Sequence, residues 1–292
     1  MSMTATAMPG LSTLLRLGRI SNVPTVWTNV LAGAVIAGGA QSPNEVALIV
    51  LAMTAFYVGG MYLNDYFDRA IDARDRPGRP IDAGEIRAGS VLSIGFGLLA
   101  LGVALMMSFG PRAILCGLLL AGVIVLYDVW HKGNVLSPVV MGLCRALVYI
   151  GTGVAATGGV SNATIIGAVA LACHVAGITY AAKQESLDRV ENLWPLALLA
   201  VPLFAALPVL FSGWIVIAAF VLLLAADAFA IWLLAKQPVQ GAVPLAVSGL
   251  IAAICLVDAL AIAAAGGGIF IVAVCAVGYP LTRLFQRSIP GT

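Results

Sequence analysis

Charged side chains are scarce in this sequence. Asp, Glu, Lys and Arg make up 10% of its 292 residues, against about 25% in a soluble domain. Histidine occurs twice. The five cysteines, Cys116, Cys144, Cys173, Cys255 and Cys275, each sit in an apolar run, and no two form a Cys-x-x-Cys pair. A thiol metal site or a disulfide framework is therefore not expected, and these residues read as small buried hydrophobes. The N-terminal residues lack a basic segment followed by a long apolar core, so no cleaved signal peptide is expected. What fills the chain instead is apolar: 61% hydrophobic residues and a mean hydropathy of +1.05. This composition excludes a soluble enzyme, a disordered chain and a nucleic-acid-binding domain. It predicts an all-α, polytopic transmembrane helical bundle.

A membrane span needs about 20 mostly apolar residues. Ten runs qualify: 20–40, 45–66, 89–109, 113–130, 136–157, 162–182, 193–211, 214–235, 243–264 and 267–285. Gly266, Gly267 and Gly268 separate the last two, which could also form one irregular segment, so nine to ten spans are expected. Most connections are short, so consecutive helices are antiparallel neighbours. One connection is long and polar, residues 67–88. The chain reads as a single domain over 1–292, with 67–88 as a cytoplasmic loop. With the N-terminus in the cytoplasm, 13 of the 15 Lys and Arg residues fall on the cytoplasmic side. Arg112 falls outside and Arg145 within a span. The positive-inside rule then places both termini in the cytoplasm. The expected location is a bacterial-type inner membrane, with the bilayer as the protein's main surrounding.

Polar residues gather at the cytoplasmic ends of the spans. Asp65, Asp68 and Asp72 follow i, i+3, i+7 spacing at the end of the second span, so a continuing helix puts them on one face. Asn64 borders that face. Stacked carboxylates repel, and a divalent cation relieves the repulsion. Mg²⁺ suits one or two carboxylates completed by substrate phosphates and water. Arg74, Arg76 and Arg79 follow, with Pro77 and Pro80 ending the helix, and guanidinium groups suit phosphate oxygens. The fourth span ends in Tyr127-Asp128-Val129-Trp130-His131-Lys132, and the sixth in Thr179-Tyr180-Ala181-Ala182-Lys183. An even number of spans separates the second and sixth exits, so the two clusters share a side. Arg145, His174 and Asp227 lie deeper, where charge is costly, and are expected to line one cavity open to the cytoplasm. Asp258 lies towards the outer half of the ninth span, with an interhelical hydrogen bond as its expected role.

Asn64-Asp65-x-x-Asp68-x-x-x-Asp72, followed by Arg76-Pro77-x-Arg79-Pro80, resembles the first aspartate-rich motif of the UbiA superfamily of intramembrane prenyltransferases. The order of elements is similar too, with a Tyr and Lys cluster on the fourth span and a polar motif after the sixth. The resemblance covers roughly residues 16–235. It implies a mostly nine-helix bundle around a lipid-accessible chamber, and an isoprenyl diphosphate donor held through Mg²⁺. There are departures. Lys183 follows Tyr180-Ala181-Ala182 where the family usually carries two aspartates, with Glu185 and Asp188 as the nearby acids. The Tyr127-to-Lys132 spacing is one residue longer than usual, unless His131 takes the lysine's place. A tenth span is extra. Together these features look most like the UbiA-like proteins of ebo-type bacterial gene clusters.

The resemblance implies transfer of an isoprenyl group to an unidentified aromatic or polar-headed acceptor. Asn64, Asp65, Asp68 and Asp72 would form the metal site. Arg76, Arg79, Lys132, Lys183 and Tyr127 would bind the diphosphate. Asp65, Asp68, Lys183 and Tyr180 would carry the catalytic machinery. Asn22 and Arg145 would orient the acceptor. The apolar chamber would hold the tail and exclude water from the allylic cation. Two other readings stand beside this one. One is a non-catalytic isoprenoid-diphosphate-binding protein within an assembly, motivated by the altered second motif. The other is a transporter using Arg145, His174, Asp227 and Asp258.

Overall fold

The computed structural model describes residues 9–39, 42–75, 78–183, 194–235 and 241–291. In lipid every backbone N–H and C=O must be bonded within the segment, which favours helices. The described residues accordingly form helices joined by short turns. A short helix α1 (Leu11–Leu17) leads through a 3₁₀ turn (Ile20–Asn22) into α2 (Val23–Ala37). Then follow α3 (Pro43–Asp75), α4 (Ala88–Met106), α5 (Pro111–Trp130), α6 (Ser137–Thr157) and α7 (Asn162–Ala182). After a broken segment that contains α8 (Val201–Ala206) come α9 (Trp214–Ala235), α10 (Ala242–Ala264) and α11 (Ile269–Phe285). Among the described residues nine segments are long and apolar enough to cross a membrane, and α11 is a shorter apolar helix. The last two expected spans are thus separate helices. The turn between them takes Gly266 at φ +78°, a conformation glycine adopts without steric cost.

Two boundaries differ from expectation. Helix α3 runs on to Asp75, so the loop expected at 67–88 begins later. Ion pairs made by Asp65 and Asp68, described below, anchor the extra turns. The seventh span is not one helix. It is 3₁₀ over Trp194–Ala200, α-helical over Val201–Ala206 and 3₁₀ again over Leu207–Ser212. Pro195, Pro202 and Pro208 each remove an N–H and clash with the preceding turn, which breaks a regular ladder.

Helix α10 is the most enclosed span. Its Val247, Leu250, Ile254, Val257 and Leu260 pack in a core with residues of α2, α6, α7 and α9. A second core joins α2, α3, α4, α5 and α6 through residues such as Val30, Met53, Phe56, Leu63, Leu99 and Leu120. Close helix contacts rest on glycine. A Cβ on Gly59 would stand 2.9 Å from Gly95 O, and one on Gly95 2.7 Å from Leu63 Cδ2. Such approaches replace the hydrophobic effect as the glue between helices in lipid. Apolar side chains on the outer faces, such as Phe96, Leu115, Leu118, Val221, Leu222 and Phe229, stay exposed, as a lipid-facing surface requires.

Candidate active site at the mouth of the bundle

The ends of α3, α5 and α7 converge with the start of α2. They enclose a cavity of about 270 Å³, lined by Arg19, Asn64, Asp68, Lys132, Arg145 and Lys183 among others. A second, apolar cavity continues inward. Val26, Met53, Phe56, Leu120, Ile124 and Val148 form its wall. Tyr57, Met61, Tyr127, Met141 and Arg145 line both. The result is one polar mouth opening onto one greasy chamber.

The helical continuation of α3 delivers the aspartates as the spacing predicts. Asn64, Asp65, Asp68 and Asp72 are all buried, each at most 7% exposed. Asp65 Oδ1 lies 3.3 Å from Arg19 Nη2 and 3.6 Å from Arg79 Nη1. Arg19 also donates to Asn64 Oδ1 at 3.1 Å. Asp68 pairs with Lys132 at 3.1 Å and with His131 Nε2 at 3.4 Å. Both candidates for the α5 cation therefore reach the same carboxylate. His131 is stacked on Tyr127 at 4.7 Å, which fixes its plane. Asn64 Nδ2 donates to Asp128 Oδ1 at 3.3 Å.

Asn64, Asp68, Tyr127, Lys132, Arg145 and Lys183 line the mouth; Asp65 and Asp72 are not among the lining residues. Arg76 lies outside the described residues. Tyr180 does not join the site. It packs against the apolar core of α7, α9 and α10, because one residue turns about 100° around a helix and Thr179, Ala182 and Lys183 take the cavity face. Asn22 lines the mouth but is already committed: its amide donates to Gly291 O at 2.9 Å and its carbonyl accepts from Gln286 Nε2 at 3.0 Å. It fastens the segment after α11 onto the start of α2. Among the described residues Lys183 reaches no carboxylate. Its ammonium donates to Asn134 O at 2.5 Å and Ser137 Oγ at 3.0 Å, tying α7 to the α5–α6 turn. Partial burial there pulls its pKa below the usual 10.5.

The deep polar residues split into two groups instead of lining one cavity. Arg145 donates to Asn29 Oδ1 at 2.7 Å and Thr25 Oγ1 at 3.0 Å. Asn29 Nδ2 in turn donates to both oxygens of Asp258 at 2.8 Å, and Tyr149 Oη donates to the same carboxylate. Asp258 thus makes the interhelical bonds expected of it. His174 and Asp227 sit apart, 3.8 Å from each other and fully or nearly buried. Neither lines the mouth. For His174 helix phase decides this: it lies off the face of α7 that carries Thr179 and Ala182 and leads to Lys183 just past the helix end.

Sequence reasoning passed over Arg19 and Asp128. Arg19 is a non-glycine residue at φ 42°, a strained conformation typical of functional sites. Its signal was an arginine directly preceding the first span. The signal for Asp128 was an acid ending an apolar helix, one turn before Lys132.

Among the described residues no three His, Cys, Asp or Glu side chains group so as to hold a metal. Mg²⁺ does not need three when phosphate oxygens and water complete its shell. Among the described residues Asp65 Oδ2 and Asp128 Oδ2 are buried and have no hydrogen-bond partner, while Asp68 Oδ1 has its contact with His131 Nε2. Buried carboxylate oxygens are normally satisfied, so the unpartnered oxygens of Asp65 and Asp128 beside Asp68 fit a cation shared with a phosphate ligand.

The sequence model of the UbiA prenyltransferase family matches residues 25–246. Digeranylgeranylglyceryl phosphate synthase of Natronomonas pharaonis is 32% identical over 192 residues, covering 63% of this chain and 66% of that protein. The protein of the same name from Ignicoccus hospitalis is 36% identical over 97 residues, covering 33% of this chain and 31% of that one. The chain thus matches less than two thirds of the length of these relatives. In fold it is similar to a UbiA homolog from Aeropyrum pernix K1, with a TM-score of 0.68 at 17% identity over 81% of this chain and 95% of that one. It is also similar to a UbiA homolog from Archaeoglobus fulgidus bound to GPP and Mg²⁺, with a TM-score of 0.60 at 14% identity over 87% and 99%. With the family match spanning most of its length, and its aspartate-bearing helix end at the mouth of a helical bundle, this multi-pass membrane protein belongs to the UbiA prenyltransferase family.

Proposed function

We propose that the protein transfers an isoprenyl group from an isoprenyl diphosphate to a polar-headed acceptor, at the cytoplasmic face of a bacterial-type inner membrane. One observation carries the reading: a mouth bearing Arg19, Asn64, Asp68 and Lys132 is continuous with an apolar chamber. An amphiphile with a diphosphate head and a hydrocarbon tail matches both ends. The GPP-bound and Mg²⁺-bound relative supports the same donor class.

Loss of diphosphate from an allylic carbon leaves an anion and a developing cation, and preorganised charge lowers that barrier. Asn64, Asp65 and Asp68 would hold Mg²⁺, with Asp72 behind them. The bound cation supplies Lewis-acid stabilisation of the leaving oxygens. Arg79, Arg76 and Lys132 bind the diphosphate, Arg19 adds a further guanidinium, and Lys183 keeps the α5–α6 turn against α7. Tyr127 stands between head and tail. The chamber excludes water that would quench the cation. Arg145, presented to both cavities, orients the acceptor through its polar or anionic head. The names of the relatives make a glyceryl phosphate lipid the first acceptor to try. We take the chain as a single domain, and the basic bias supports cytoplasmic termini; a cysteine placed at Ser12 should label only after permeabilisation.

The test is turnover of labelled geranyl diphosphate by the purified protein with Mg²⁺. Diphosphate release coupled to a prenylated glyceryl phosphate lipid is the expected result. Tight binding without turnover on any acceptor would favour the non-catalytic reading, to which the missing aspartate pair at Lys183 lends weight. The transporter reading loses its common cavity with the separation of His174 and Asp227 from the mouth.

A further inference from the structure

Glu85 lies outside the site and has no role in the reaction described above. It sits in the turn between α3 and α4. One of its oxygens, Oε2, accepts from both Thr13 Oγ1, at 2.5 Å, and Arg16 Nη2 on α1. The two partners hold its carboxylate below the usual pKa of 4.5, so it is ionised at neutral pH.

Both sides of this contact lead directly to Asp65. On one side, α1 ends at Leu17, and two residues later Arg19 turns at φ 42° to place its guanidinium 3.3 Å from Asp65. On the other side, the turn closes on itself. Ala83 N donates to Arg79 O at 2.8 Å, Glu85 N to Pro80 O at 3.0 Å, and Gly84 N to Ile81 O at 3.1 Å. Glu85 and Arg79 therefore move as one unit, and Arg79 lies 3.6 Å from the same Asp65 oxygen. Beneath the contact Leu17, Ile86, Tyr62 and Val91 form a small separate core, and Tyr62 Oη donates to Leu14 O at 3.1 Å.

We infer that Glu85 is a positioning residue for donor binding: it clamps α1 to the α3–α4 turn and so fixes the spacing of Arg19 and Arg79 around the diphosphate. The inference rests on the donor-binding reading above. The Arg16–Glu85 pair is itself partly exposed, with side chains 38% and 33% accessible, and such pairs add little to global stability. Its effect should then appear in ligand affinity while the melting temperature hardly moves.

The test is a geranyl diphosphate titration at fixed Mg²⁺ with the full chain in lipid nanodiscs. Glu85→Gln and Glu85→Ala should weaken binding about five- to tenfold, the scale of one ordinary net hydrogen bond, since the clamp acts on the site only through Arg19 and Arg79. Their thermal unfolding should match the native protein. Thr13→Val should give a smaller loss. The exchanged pair Arg16→Glu with Glu85→Arg should recover most of the affinity. Unchanged affinity in Glu85→Ala would overturn the clamp. So would a parallel loss of affinity and thermal stability that the exchange fails to restore. Failure of the native protein to bind geranyl diphosphate would instead remove the donor reading on which the clamp depends.

Discussion

Replacing Asp65 with Asn separates the two tasks that its carboxylate performs. The change keeps the side chain's shape and removes its charge. In the structure Oδ1 faces Arg19 and Arg79, while Oδ2 is buried without a partner among the described residues. At these separations each ion pair amounts to about 5 kcal/mol of Coulomb energy at an effective dielectric near 20, before desolvation. The net cost to stability is smaller, about 1–3 kcal/mol, because Arg19 keeps its bond to Asn64. The metal suffers more. Even indirect partners of a metal ligand are worth about 10- to 100-fold in affinity, so loss of a direct carboxylate should cost about a hundredfold in Mg²⁺-dependent binding. Without Mg²⁺ the sign reverses. Arg19 and Arg79 lose an internal counter-charge and become freer to meet a phosphate. Calorimetric titration of geranyl diphosphate, with Mg²⁺ and with a chelator, reads both. The expected result is a flattened Mg²⁺ dependence with chelator-resistant binding equal to or above that of the native protein. A native Mg²⁺ dependence in Asp65→Asn would refute the metal assignment. Loss of binding under both conditions would make Asp65 a scaffold for the arginines only.

Lys183→Ala should weaken donor binding about tenfold at every Mg²⁺ concentration, since it frees the α5–α6 turn, and Lys183→Asp should raise the Mg²⁺ requirement; superimposable titrations for all three forms would remove Lys183 from the site. Because burial lowers the Lys183 pKa, its charge is present at neutral pH and is lost as pH rises through that lowered value. Donor affinity should therefore fall at a lower alkaline pH than an exposed lysine would give, and Lys183→Met should abolish that limb. Gly142 faces the Ala172 carbonyl across the α6–α7 contact with no room for a Cβ; Gly142→Val should cost about 1–3 kcal/mol by overpacking, seen as a lower melting temperature in detergent, and an unchanged melt would show that the two helices separate freely. Tyr149→Phe removes one of the donors to the buried Asp258 and should destabilise by about 1–3 kcal/mol without changing Mg²⁺ dependence, which the same titrations and melts would check.

Much of this protein is written in one dimension. Span lengths, the all-helical class and the aspartate face at Asp65, Asp68 and Asp72 follow from apolar runs and helical spacing, because lipid leaves the backbone few alternatives. Proline positions even contained the broken seventh span, although the apolar run masked it. Other features depend on which helix faces which. Nothing in the order of residues says that Arg19, Arg79 and Asp65 meet. Nor does it say that Asp128 lies against Asn64, or that His174 and Asp227 turn away from the cavity. Tyr180 and Lys183 are three residues apart, yet one packs against the core and the other borders the mouth. Hydropathy is a property of a run of residues, so it can be read along the chain. The direction of a polar side chain depends on the rotation of its helix about its own axis. That rotation is set by close packing at contacts such as Gly59 with Gly95 and Gly142 with Ala172, which exist only once the bundle has assembled.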